Sequence, residues 1–85
     1  MATVVLHYWA GAKAAAGVEY EQYEASSVAD AVAQAGEVSD RPGLVAVLGA
    51  CAFLVDGLTQ SAHDLDTFLT ADRDVEVLPP FAGGG

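Results

Sequence analysis

One amphipathic helix signal, set between strand-like runs, narrows the fold of this chain more than any other feature. In "SSVADAVAQAG", Ser27 is placed to N-cap, Asp30 stands three residues on as in a capping box, and Gly36 can close the C-terminus. Val28, Ala31, Val32 and Ala35 share one face of that helix. Ahead of it, "TVVLHYW" from Thr3 to Trp9 is rich in β-branched and aromatic residues and predicts a strand. "VEYEQYEA" alternates Val18, Tyr20 and Gln22 with Glu19, Glu21 and Tyr23, which predicts a half-buried strand with a charged outer face. The small residues of "AGAKAAAG" between them predict a long loop joining the two strands as a hairpin.

Beyond the helix, "EVSDRPGLVAVLG" reads as a polar linker carrying Pro42, followed from Leu44 to Leu48 by one or two helical turns. "ACAFLVDGLTQ" predicts a strand that ends in an Asp56-Gly57 turn, with Leu58 and Thr59 starting a short return strand. "SAHDLDTFLTADRD" is turn-rich, with Leu65, Phe68 and Leu69 as expected core anchors and Asp72 and Asp74 as a solvated turn. "DVEVL" predicts the last strand, which stops where Pro79 and Pro80 have no N–H to give a ladder. The sum is an α+β domain, a mixed sheet with one main helix packed across it. Residues 1–80 form that domain and residues 81–85 a flexible glycine-rich tail.

Composition limits what such a domain can do. Eighty-five residues allow one small domain, burying only roughly 60 to 65% of the surface its unfolded chain exposes. A 53% hydrophobic content predicts a folded chain rather than a disordered one. Twelve acidic residues face only Lys13, Arg41 and Arg73, for a net charge of −9. Phosphate binding draws on clustered cations, so nucleic acid and anionic membrane surfaces are poor partners and a basic docking face is a better one. A single cysteine, Cys51, precludes an internal disulfide. With no charged leader before the first apolar run and no membrane-length stretch, the expected location is the cytoplasm.

The segment "LPPFAGGG" is the other distinctive feature. Pro79 and Pro80 favour a stiff extended exit from the domain, and Phe81 to Gly85 then reach about 16 Å at full extension. Gly83, Gly84 and Gly85 carry no side chain and fit a channel too narrow for other residues. What arrives at its end is a carboxylate. A carboxylate reacts only after activation, typically as an acyl adenylate made from ATP; the activated carbonyl then accepts sulfur to give a thiocarboxylate, or an amine to give an amide.

The run "VEVLPPFAGGG", with the element order, resembles the ubiquitin-like β-grasp sulfur carriers of the MoaD/ThiS family, and is most similar to the small subunit of molybdopterin synthase. "YWAGAKAAAG", "SSVADAVAQAG" and "FLTADRDVEVLPP" resemble other parts of that pattern, so the likeness covers nearly the whole chain. The resemblance implies that Gly85, or Gly84 after trimming, is adenylated by an enzyme related to the ubiquitin-activating enzymes, and that a sulfur donor protein converts it to a thiocarboxylate. It implies that the chain binds no cofactor itself, the ATP being used by the activating enzyme. It also implies docking of Pro79, Pro80, Phe81, Ala82, Gly83 and Gly84 on a large synthase subunit, within a heterotetramer. That subunit would supply the catalytic side chains while the tail delivers sulfur to cyclic pyranopterin monophosphate in molybdenum cofactor synthesis. The family pattern ends at the second glycine, and this chain has a third. Sulfur carriage for thiamine or cysteine, and conjugation as a ubiquitin-like modifier, stay open beside this reading.

Among the remaining residues, Cys51 lies in an apolar stretch and reads as core rather than as a persulfide relay. His7 and His63 with Cys51 match no metal-ligand spacing, so no metal site is expected. Phe81 reads as an anchor on the partner and Lys13 as an exposed loop charge.

Overall fold

The structure is a computed structural model, and it describes residues 1–38 and 40–80. Its elements are β1 (Ala2–Tyr8), α1 (Ala10–Ala16), β2 (Tyr20–Ala25), α2 (Val28–Gly36), α3 (Gly43–Ala50), β3 (Ala52–Val55), β4 (Leu58–Thr59), α4 (Ala62–Leu65) and β5 (Arg73–Leu78). The five strands form one mixed sheet in the order β2-β1-β5-β3-β4. β1 pairs antiparallel with β2 and parallel with β5, while β3 pairs antiparallel with β5 and β4. The last strand of the chain is therefore the middle strand of the sheet.

Period-two alternation decides which side chains enter the core. Val4, Leu6 and Tyr8 of β1, Val75 and Val77 of β5, and Phe53 and Val55 of β3 point to one face, where the helices cover them. α2 lies there through Val28, Ala31 and Ala35, and its buried alanines allow close approach to the strands. Its start is as the sequence indicates: the Ser27 hydroxyl accepts from Asp30 N–H at 3.0 Å. The Asp30 carboxylate reaches back one residue further than a capping box requires, to Ser26 N–H at 3.0 Å. Leu44 and Leu48 bury α3, which extends the expected turns to eight residues.

The expected small-residue loop after β1 is instead a helix. Alanine has the highest helix propensity, and the five alanines of α1, with Lys13 a further good helix former, outweigh the interrupting Gly11. Burial of Ala12 and Ala16 against the core supplies the rest. Gly17 ends it in the left-handed region at φ 79°, where its N–H returns to Lys13 O at 2.9 Å. One main helix thus becomes three that bury residues in the core, with the short α4 packing on it through Leu65.

Two further expectations change. β2 turns Glu21, Tyr23 and Ala25 inward and Tyr20 outward, the reverse of the face assigned from its pattern, because pairing with β1 sets Tyr20 opposite His7 on the exposed side. Phe68 is 66% exposed, whereas Leu65 and Leu69 pack on the core as expected. Asp72 is exposed yet tied to the body, since its carboxylate accepts from Thr3 N–H at 2.9 Å.

The Asp56-Gly57 turn forms as read, with φ 53° and 79° at its two central residues, the signature of a type I′ hairpin. Gly57→Ala introduces a Cβ into that left-handed position, and a stability loss of about 1 kcal/mol is expected by urea unfolding.

Candidate functional site

The site begins where β5 ends. Leu78 pairs with Ala52 of β3 on one side. On the other, Val77 stands beside Tyr8 of β1, and Trp9 N–H donates to Val77 O at 3.2 Å. Because β1 and β5 run parallel, the start of α1 sits at the same end of the sheet as Pro79 and Pro80. Ala10 turns the chain there with φ 46°, a left-handed value unusual for alanine. Strand pairing stops at Leu78 as the prolines require, with Pro79 half-buried and Pro80 exposed. Phe81, Ala82, Gly83, Gly84 and Gly85, and with them the flexible tail and the partner anchor, lie outside the described residues.

Beneath this end, on the helix side, lies a polar cluster that the sequence reading missed. A single oxygen, Glu21 Oε1, accepts from Arg41 Nη2 at 2.6 Å, Tyr8 Oη at 2.8 Å and Tyr23 Oη at 2.9 Å. Arg41 also donates to Ala16 O at 3.0 Å and to Ala35 O at 3.1 Å, the carbonyls at the ends of α1 and α2. One guanidinium therefore joins both helix C-termini to β2 and, through Tyr8, to the strand beside the tail root. Burial opposes the Glu21 charge, but hydrogen bonds from Arg41, Tyr8 and Tyr23 outweigh it and hold the carboxyl below the usual range. Burial, then the bond to Glu21, pushes the Tyr8 phenol upward. The only signal for this cluster was an arginine in a chain with three cations.

A depressed folded pKa contributes stability that is full above the unfolded value and is lost as pH falls through the folded one. Thermal unfolding of the native chain is accordingly expected to drop more steeply below about pH 4.3 than that of Glu21→Gln.

On the open side of the sheet, His7, Tyr20, Asp74, Glu76 and Val5 line a groove of about 350 Å³. Trp9 is 45% exposed beside His7, with ring centroids 4.5 Å apart, and its indole N–H donates to Glu76 Oε2. Among the described residues, no group of three or more His, Cys, Asp or Glu side chains is arranged to hold a metal, and His7, His63 and Cys51 lie at separate elements. His63 sits on the exposed face of α4. Cys51 lies just before β3, where it caps α3, rather than within the strand, and burial pushes its thiol up and away from the nucleophilic thiolate. Lys13 is exposed on α1 instead of in a loop.

This arrangement recurs in solved structures. The small archaeal modifier protein 1 of Methanosarcina acetivorans superposes with a TM-score of 0.79 at 23% identity, over 99% of this chain and 98% of its own. The chain has the ubiquitin-like β-grasp fold. The protein of the same name from Haloferax volcanii matches at a TM-score of 0.74 and 19% identity, covering 96% of this chain and 99% of that one. A chain from the complex of subunits 1 and 2 of the molybdopterin-converting factor of Helicobacter pylori matches at 0.69 and 24% identity, with 96% and 99% covered. No protein-family model and no curated protein sequence matches. The likeness is therefore one of fold, carried by the backbone at low identity. No helix among the described residues is long and apolar enough to cross a membrane.

Proposed function

We propose that this protein is a sulfur carrier of the MoaD/ThiS family that acts in the cytoplasm as the small subunit of a molybdopterin synthase. The observation that carries this reading is the origin of the tail: Pro79 and Pro80 leave the central strand of the sheet, which is hydrogen-bonded on both sides up to that point. A reactive end launched from the centre of a rigid sheet enters a partner's cavity with its root fixed, and the entropy lost on docking falls mainly on the few residues that follow. The Helicobacter pylori likeness, to a complex of two converting-factor subunits, supports a large-subunit partner.

In the proposed cycle the Gly85 carboxylate, or that of Gly84 after trimming, attacks the α-phosphate of ATP on an activating enzyme and pyrophosphate leaves. A persulfide on a donor protein then attacks the acyl carbon and AMP departs; a second thiol attacks the donor sulfur of the resulting acyl disulfide, forming a disulfide with it and leaving the thiocarboxylate. Pro79, Pro80, Phe81, Ala82, Gly83 and Gly84 dock on the large subunit, whose side chains carry the chemistry on cyclic pyranopterin monophosphate. The chain itself holds neither cofactor nor metal in this scheme.

The similarity to small archaeal modifier protein 1 favours a second reading, conjugation of the tail to lysines of other proteins. The two separate on mixing the thiocarboxylated chain with a large subunit and cyclic pyranopterin monophosphate. Formation of the dithiolene product with return of the carboxylate supports synthesis. An inert thiocarboxylate, with isopeptide-linked adducts of this chain in cell extract, supports conjugation.

A further inference from the structure

The helix side of the sheet carries an apolar surface that sulfur transfer does not use. α3 has no polar or charged side chain in the eight residues GLVAVLGA. A helix that is apolar on every side is normally covered on every side, yet α3 buries only Leu44 and Leu48 and leaves Val45 57% exposed. Beside Val45, Leu48 and Gly49 of α3, the residues Val32, Ala33 and Gly36 of α2 complete a groove of about 410 Å³ between the two helices. Glycines keep it open. A Cβ at Gly36 would come within 3.3 Å of the Val45 side chain, and one at Gly49 would meet nothing within 4 Å, so another backbone can approach closely there.

Charge says what covers this groove. Among the described residues that line it, Glu37 at the end of α2 carries the only charge. Asp40 stands exposed in the linker that leads on to α3. The cations lie elsewhere: the Arg41 guanidinium is buried against Glu21, Lys13 is on α1 and Arg73 begins β5. We propose that the groove seats an amphipathic helix of a partner protein, apolar on its buried side and basic on its flanks. Leucine-sized side chains one turn apart fill the space between α2 and α3, and a lysine or arginine beside them meets Glu37. A second copy of this chain suits the groove poorly, because each copy has a net charge of −9 and brings like charge to Glu37. The groove and the open face lie on opposite sides of the sheet, so a protein held by the helices leaves His7 and Trp9 free. The inference goes beyond sulfur carriage and holds whatever the tail delivers.

The test uses the full chain and a synthetic peptide of about 15 residues, with leucine at i, i+3, i+4 and i+7 spacing and lysine at the other positions. No activating enzyme is present, so failure here would leave the sulfur-carrier reading untouched. The amide resonances of Gly36 and Gly49 should shift saturably as peptide is added, while that of His7 on the open face stays in place. The same peptide with glutamate for lysine should bind at least about tenfold more weakly, and Glu37→Lys should weaken the lysine peptide by about as much. Gly49→Gln places a good helix former where a Cβ has room, so it should abolish the Gly36 shift with the fold intact. The proposal is overturned if Gly36 and Gly49 show no saturable shift, if the open face shifts as much, or if binding survives Gly49→Gln. A dimer in sedimentation that Gly49→Gln dissolves would also overturn it, by assigning the groove to a second copy.

Discussion

Arg41→Met should cost about 3 kcal/mol, the lower end of the range for breaking a buried ion pair because Glu21 keeps some exposure to solvent. Methionine keeps much of the aliphatic stem, so the loss is mostly electrostatic and hydrogen-bonding. It leaves the Glu21 carboxylate with two phenols and no cation, and removes one donor from each of the Ala16 and Ala35 carbonyls, the second of which keeps backbone donors beyond α2. A domain of this length has total stability of roughly 4 to 13 kcal/mol, and its midpoint would fall by about 12 to 24 °C. Arg41→Lys should rescue little, since an ammonium cannot reach a carboxylate and two carbonyls with a planar fork. Arg41→Met combined with Glu21→Gln should recover part of the loss by removing the stranded charge. Calorimetric unfolding decides the matter; a loss of less than about 1 kcal/mol would mean that the pair behaves as a surface ion pair.

The second large effect separates function from fold. Deleting Gly83 to Gly85 removes residues that follow Pro80 in the sequence, whereas the last described strand pairing of β5 is at Leu78. Stability should therefore stay within about 0.5 kcal/mol of the full chain. Sulfur loading should fall below detection, because the shortened end presents Ala82, with a Cβ, three residues back from the position the activating enzyme would reach. Mass analysis after a loading reaction, paired with urea unfolding of the same sample, reads both quantities. Loading that persists on the truncated chain would move the reactive group away from the glycines.

The parts of this fold legible in the sequence are those governed by local chemistry. The Ser27 cap, the Asp56-Gly57 turn and the alternation of Val75 and Val77 each act within a few residues, and each forms as read. The tail root was legible too, since proline ends a ladder wherever it falls. What escaped depends on distant partners. Alanines between two strands carry no pattern that separates a loop from a helix, and burial of Ala12 and Ala16 by the rest of the chain makes the choice. Glu21 turns inward because Arg41, twenty residues away, is there to meet it. Tyr20 and Tyr23 are equally good inner residues by type, and register with β1 selects between them. Phe68 was assigned to the core on hydrophobicity alone, whereas the short α4 and the turn after it leave it at the surface. The closeness of His7 to Glu76 comes from the parallel pairing of first and last strands, a contact between residues 7 and 76 that no local motif announces.

The central claim is that the glycine end of this chain carries sulfur, and intact mass tests it most directly. The full chain is incubated with ATP, an activating enzyme of the same organism and a sulfur donor, then fragmented to read its C-terminal peptide. The account predicts a gain equal to exchanging one oxygen for sulfur, confined to the last glycine and absent without ATP. An unchanged mass, with the same activating enzyme loading a known carrier in parallel, would contradict it.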